Sequence, residues 1–176
     1  MRSVVKVLPL IICVILMFSA CENSPRYEFR NYEKAELVAL INENEDLFNE
    51  VVRVVVEDDD ICEKGSHPYE KEVRFTSPYN EEIGLLDQHG QQVIGNFFQF
   101  RPYMVQYDYQ QGFVSITFIG DIDNVEGYQF MYWLDTEDVD GLERRLIYLR
   151  QSYTVCTDGI PEGWYFYYKE TNWNPL

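Results

Sequence analysis

The apolar residues of this chain change their spacing near residue 57, and this change limits the folds that the chain can adopt. Between about residue 31 and residue 57 they recur every three or four positions, which is typical of a helix with one apolar face. Asn31 stands where an N-cap is expected, whereas the β-branched residues at 54–56 also suit a strand and leave the end of the helix open. The pattern predicts one long helix with an apolar side formed by Leu37, Leu40, Ile41, Leu47, Phe48, Val51, Val52 and Val55.

After residue 57 the sequence has the character of β-strands. Apolar and polar residues alternate in short segments, and the connections between them are short and rich in turn-forming residues. Such connections favour an antiparallel meander. Residues 138–150 also fit a short helix. The candidate strands are 71–76, 84–87, 93–100, 104–109, 113–119, 128–134, 146–156 and 164–169.

The expected fold class is therefore α+β, with a long N-terminal helix packed on an antiparallel, meander-like β-sheet. In outline, this arrangement resembles the cystatin-like and related helix-on-sheet folds. The resemblance is one of architecture alone, and it implies nothing about function.

The first twenty residues have the character of a secretory signal peptide. Arg2 and Lys6 precede an apolar run, and the small residues Ser19 and Ala20 follow it. The apolar run is shorter than the roughly 20 residues that a membrane-spanning helix needs. Pro9 further weakens a permanent span. We therefore expect this segment to be cleaved.

The segment Phe18-Ser19-Ala20-Cys21 resembles the lipobox of bacterial lipoproteins, in which the cysteine is acylated and becomes the new N-terminus. The resemblance implies a signal peptide over residues 1–20, a lipidated tether over 21–30 and a single globular domain over 31–176. It places the protein on the cell membrane or the outer membrane, anchored by lipid and facing the extracytoplasmic side. The alternative is an ordinary secretory signal that happens to be followed by a cysteine.

The balance of charge limits the partners of the mature chain. Without Arg2 and Lys6, the 14 basic residues become 12, against 30 acidic ones, and the formal net charge becomes −18. Such a chain repels nucleic acid and anionic lipid headgroups. The charge permits a basic partner, although solubility alone is a sufficient explanation for it.

Two cysteines remain after the signal peptide and the lipidated Cys21 are set aside. Cys62 and Cys156 are expected to form a disulfide in an oxidising compartment. The alternative is a pair of reduced thiols in a reducing environment. Neither cysteine has another Cys or a His at zinc-binding spacing, so no metal site is expected.

The sequence contains no catalytic motif that we can identify. His67 and His89 lie in turn-like segments beside Pro68 and Gly90, where a histidine is usually just solvated. Carboxylates cluster at 57–60, 121–126 and 135–140, but their spacing does not match a calcium-binding loop. We expect no catalytic residues, no cofactor and no enzymatic activity.

Aromatic residues supply the remaining candidate for a binding site. Several strands carry aromatic side chains on both faces, so that one face can pack on the helix and the other can meet a ligand. Packing across the sheet is the alternative explanation. The predicted binding platform consists of Tyr107, Tyr109, Trp133, Tyr165 and Tyr167.

Three functional hypotheses follow from these features. The first is a non-enzymatic, lipid-anchored domain that binds a protein or glycan partner in the cell envelope. The second is an acidic inhibitor or immunity-type protein directed at a basic target. The third is an envelope hydrolase that uses carboxylates.

Overall fold

The computed structural model describes residues 27–58, 61, 72–119, 127–134 and 153–168. Within these residues the fold is α+β, as the sequence predicts, and helices pack on one face of a six-stranded antiparallel sheet. The helices are α1 (Lys34–Glu43), α2 (Glu45–Val56) and α3 (Gln88–Phe97), with 3₁₀ helices at Glu81–Leu85 and Phe98–Phe100. The strands are β1 (Glu72–Phe75), β2 (Met104–Asp108), β3 (Phe113–Phe118), β4 (Tyr128–Trp133), β5 (Thr154–Cys156) and β6 (Trp164–Tyr168).

The segment predicted to form one long helix is helical but is divided at Asn44. The backbone of Asn44 leaves the helical region, with φ −129° and ψ 28°, and its side-chain amide donates to the carbonyl of Leu40 at 2.8 Å. An asparagine side chain competes in this way for backbone groups and interrupts a helix. The N-cap of α1 is Glu33 rather than Asn31, and the Glu36 carboxylate accepts a hydrogen bond from the Glu33 backbone at 3.0 Å.

The sheet begins as a meander and ends with one exchange of order. Its strands lie in the order β1-β2-β3-β4-β6-β5, and every neighbouring pair is antiparallel. The predicted strands at 71–76, 104–109, 113–119, 128–134 and 164–169 are confirmed with small changes of boundary. In the segment predicted over 146–156, Thr154–Cys156 forms β5, whereas residues 146–152 and the whole alternative helix at 138–150 lie outside the described residues.

Two predicted strands, 84–87 and 93–100, are wrong. Gly84 and Leu85 end a 3₁₀ helix and Asp87 is the N-cap of α3, whereas 93–100 is helical throughout. The carboxylate of Asp87 caps α3 by accepting from the backbone of Gly90 at 2.7 Å. Val93, Ile94 and Phe97 then share one buried side of that helix. Packing of this side outweighs the strand preference of the β-branched residues.

Phe48 connects helix α2 with helix α3 and with the sheet. This fully buried side chain of α2 contacts Phe97 of α3, Phe130 of β4 and Trp164 of β6, with ring centroids 5.0 to 5.7 Å apart. All three ring pairs meet edge to face, which is a favourable arrangement for aromatic rings. The apolar side of α2 therefore settles on the sheet and on α3 at the same point.

Replacing Phe48 by alanine should destabilise the protein strongly. We expect Phe48→Ala to lower the free energy of unfolding by about 3–5 kcal/mol, because it removes buried surface and leaves a cavity among three rings. Denaturant unfolding measures the change. Tyr79→Ala, at a side chain that is 66% exposed, should stay within about 0.5 kcal/mol. Equal losses in the two variants would show that Phe48 does not organise the core.

Candidate functional site

The structure does not assemble the five predicted aromatic residues into one exposed platform. Tyr107 lies on the face of the sheet that packs on the helices and is 7% exposed, and the ring of Tyr109 lies 6.1 Å from it. Trp133, Tyr165 and Tyr167 lie on the opposite face. The strand alternation behind the platform is thus correct, but it separates the five residues into two groups.

The outer face of the sheet is largely buried at its centre. Trp133 is 4% exposed and Tyr167 is 2% exposed, and the indole nitrogen of Trp133 donates to the Tyr167 hydroxyl at 3.4 Å. Tyr165 is only half-buried. Nearby, the buried carboxylate of Glu72 accepts from the amide of Gln106 and contacts the guanidinium of Arg74. This packing matches the alternative of aromatic contacts across the sheet.

Several other predicted features fall on residues that the structure does not describe. His67, Cys62 and the predicted lipidation site Cys21 lie outside the described residues, as do the carboxylates at 121–126 and 135–140. Cys156 is described as a half-buried free thiol, and its Sγ donates to the carbonyl of Asp158 at 3.6 Å. The disulfide between Cys62 and Cys156 stays a prediction.

A charged cleft lies where the C-terminal half of α2 faces the start of α3. Its volume is about 630 Å³. We name it the acidic cleft, because its ionisable residues are mostly carboxylates. The residues that line it are Arg53, Val54, Glu57, Asp58, Gly84, Leu85, Leu86, Asp87 and His89.

A hydrogen-bonded network of three side chains stands at the edge of the acidic cleft. The Glu50 Oε1 atom lies 2.5 Å from Nη2 of Arg53 and 2.6 Å from Nε2 of His89. Arg53 also donates to Glu57 at 2.8 Å. Since Glu50, Arg53 and Glu57 are three and four residues apart on α2, helical geometry places them in one row. His89 enters this row from α3, which packs beside α2.

The network fixes the charge of Glu50. The hydrogen bond from Arg53 is the largest cause, and that from His89 the second, of a Glu50 pKa that is lowered to about 2. The same carboxylate raises the pKa of the Arg53 guanidinium. A carboxylate with so low a pKa is a weak proton acceptor at neutral pH. It is therefore better suited to bind a cationic group than to act as a general base.

His89 can stay in the network with either tautomer of its ring. Its Nε2 lies 2.6 Å from Glu50 Oε1 and 3.0 Å from Nη2 of Arg53. A protonated Nε2 donates to Glu50, and a deprotonated Nε2 accepts from Arg53. The side chain is 54% exposed, so a molecule in the cleft can reach the ring.

The contact between His89 and Glu50 is hard to predict from the sequence. His89 was expected to lie in a turn, but Asp87 caps a helix there, and His89 lies in its first turn. Asp87 is the available signal, because an Asp just before a segment of periodic apolar residues is typical of a helix start. Nothing local could pair His89 with Glu50, which lies 39 residues earlier.

The acidic cleft suits recognition of a positively charged group. Its rim combines the carboxylates of Glu57, Asp58 and Asp87 with one guanidinium that is already paired. Within the described part of the chain, no group of three or more His, Cys, Asp and Glu residues is placed to hold a metal ion. In the same residues, no helix is long and apolar enough to cross a membrane.

Comparisons with protein-family models, with curated proteins and with solved structures gave no match. The function must therefore be argued from the residues of this chain.

The pKa of Glu50 predicts how stability depends on pH. A carboxylate whose pKa is lowered by folding stabilises the protein above its unfolded value of 4.5, and this contribution is lost as the pH falls towards about 2. We expect Glu50→Gln to lower the free energy of unfolding near neutral pH by less than about 1 kcal/mol, because the network is solvent-screened. The difference should shrink as the solution is acidified.

Denaturant unfolding over a series of pH values measures this effect. Glu43→Gln is the matched control, since Glu43 is an exposed carboxylate at the end of α1. A Glu50→Gln difference that stays constant down to acid pH would contradict the assignment.

Proposed function

We propose that this protein is a lipid-anchored, non-enzymatic binding domain on the outer side of a cell membrane. The lipobox-like segment Phe18-Ser19-Ala20-Cys21 supports the anchor. Acyl chains on Cys21 would hold the domain at the surface, since two or more chains give stable attachment. The folded domain follows within a few residues, because the Tyr27 ring already packs on Phe98.

The observation that carries the binding role is the acidic cleft with its network of Glu50, Arg53 and His89. The cleft is open, and the carboxylates of Glu57, Asp58 and Asp87 line it. These carboxylates favour a cationic group, such as a lysine or arginine of an envelope protein or an amino group of an envelope glycan. Glu50 is committed to two hydrogen bonds and has a low pKa, which supports recognition over proton transfer.

The second candidate is an inhibitor or immunity-type protein for a basic target. The formal charge of −18 on the mature chain and the carboxylates around the acidic cleft favour it, because opposite charge accelerates association. The two candidates differ in what binds. An inhibitor depends on the charge of the whole domain, whereas a binding module depends on the cleft.

Replacement of Cys21 should release the protein from the membrane. We expect Cys21→Ser to abolish incorporation of labelled fatty acid and to reduce the amount of processed protein in the membrane fraction, because serine cannot form the thioether that bears the lipid. Metabolic labelling followed by fractionation measures both effects. Cys156→Ser is the control and should keep the label. Full labelling of the Cys21→Ser variant would contradict the anchor.

Neutralising the acidic cleft should weaken partner capture. We expect the full-length mature protein in detergent to retain an envelope component at low and at high salt. Glu57→Gln with Asp58→Asn should retain less of it, because both carboxylates line the cleft. Mass spectrometry or sugar analysis identifies the retained component.

The matched control is Glu43→Gln with Glu45→Gln, which removes the same charge from exposed positions that do not line the cleft. Equal losses in the two double variants, with a basic protein retained only at low salt, would favour the inhibitor. Retention of nothing at either salt would contradict both candidates.

A further inference from the structure

Exposed aromatic rings gather at the place where the described chain begins. Phe29, Tyr79 and Tyr103 are exposed to 42%, 66% and 45%, and the fourth exposed large hydrophobic residue in the described part of the chain is Tyr153. The ring of Phe29 lies 5.3 Å from that of Tyr103 and 5.3 Å from that of Tyr27. We name Phe29, Tyr79 and Tyr103 the aromatic patch.

Tyr27 holds the aromatic patch to the fold. The Tyr27 ring meets Phe98 edge to face at 5.4 Å, and its hydroxyl donates to the carbonyl of Pro102 at 3.0 Å. Tyr27, Tyr79 and Arg101 line one shallow cleft of about 480 Å³. The rings therefore sit on a rigid base that is continuous with the core.

Arg101 has an unfavourable backbone conformation at the edge of the aromatic patch. Its φ is 55° and its ψ is 48°, in the left-handed region where glycine is the usual residue. For a residue with a side chain this conformation is unfavourable. The chain thus presents an exposed guanidinium beside the aromatic rings at a position where a glycine would fit with less strain.

The aromatic patch and the acidic cleft lie at opposite ends of α3. Asp87 and His89 line the cleft at the start of the helix, whereas Phe98 and Arg101 follow its end. The nine residues from His89 to Phe98 correspond to about 13 Å along a helix. A surface that covers the patch therefore leaves the cleft open on the other side.

The lipid anchor lies within a short length of chain from the aromatic patch. Five residues lie between Cys21 and Tyr27, and a fully extended chain over these six residue steps spans at most about 20 Å. A surface held this close has a high effective concentration, so even a weak contact with it is populated.

We propose that the aromatic patch rests in the headgroup region of the bilayer that carries the lipid anchor, and that Arg101 contacts a lipid phosphate there. This inference rests on the proposed lipid anchor. Tyrosine and phenylalanine with a flanking arginine are the residues that settle at a membrane interface. The contact orients the domain so that the acidic cleft, with its carboxylates, faces away from the membrane and towards its partner.

Fluorescence quenching by lipid tests this arrangement. The full-length mature protein, reconstituted into nanodiscs of phosphatidylcholine brominated near the top of its acyl chains, carries Tyr103→Trp as a reporter. Tyr153→Trp is the matched control, since Tyr153 is 44% exposed and precedes β5 at the other edge of the sheet. Because the chain has three native tryptophans, the emission of the unsubstituted protein in the same nanodiscs is subtracted first. We expect the emission added by Tyr103→Trp to be mostly lost relative to unbrominated nanodiscs, and the emission added by Tyr153→Trp to be kept.

Two further changes in the Tyr103→Trp background separate membrane contact from simple proximity. Phe29→Ser with Tyr79→Ser should restore much of the emission, because the reporter at position 103 is then the one aromatic ring of the patch left to contact lipid. Arg101→Gly should restore part of it while keeping the fold, because glycine adopts the φ of 55° without strain.

The outcomes distinguish the orientation from the anchor. Intact mass of the same samples shows whether Cys21 is acylated. An acylated protein with equal quenching at positions 103 and 153 overturns the membrane contact and leaves the anchor in place. A protein without acyl chains overturns both. Unquenched emission at position 103 that changes when an envelope protein is added would assign the aromatic patch to a protein partner instead.

Discussion

The edge-to-face contacts of Phe48 organise this structure. One side chain of α2 meets α3, β4 and β6 together, so the helices cannot shift on the sheet without breaking a contact between buried rings. The position of α2 beside α3 follows from it. That position in turn brings Glu50 and Arg53 of α2 within hydrogen-bond distance of His89. The network at the acidic cleft is therefore a consequence of core packing, and its charged residues need only meet across a surface that the core has already built.

The acidic cleft and the aromatic patch have different proposed roles, one in binding a partner and the other in contacting lipid. Helix α3 separates them, with carboxylates and an imidazole at its start and aromatic rings beyond its end. Aromatic side chains suit the boundary between lipid and water, whereas carboxylates are repelled by anionic headgroups and favour a basic partner in solution. With the proposed anchor at Cys21, a short tether would bring the aromatic end towards the membrane. The carboxylates of the acidic cleft would then face the envelope.

The strengths and failures of the sequence predictions have physical causes. In strand β3, Val114, Ile116 and Phe118 alternate with Ser115 and Thr117, and this period predicts the strand because successive side chains point to opposite faces of a sheet. The segment 93–100 has strand-forming residues, yet Val93, Ile94 and Phe97 form a helix because their burial against α2 and the cap at Asp87 outweigh local preference. The predicted binding platform failed to assemble for a related reason. Alternation tells which residues share a face within one strand, but not which face the helices cover, so Tyr107 and Tyr167 could not be separated.

The sequence by itself determined the α+β class, the helical segment near residues 34–56 and most strand positions, because periodicity is a property of neighbouring residues. It also supplies the lipobox-like segment on which the proposed anchor rests. Only the tertiary structure decided the break at Asn44, the meeting of His89 with Glu50 and the gathering of Phe29, Tyr79 and Tyr103. The last two join residues that are tens of positions apart. Such contacts depend on how helices and strands pack, and packing is decided by the whole core at once.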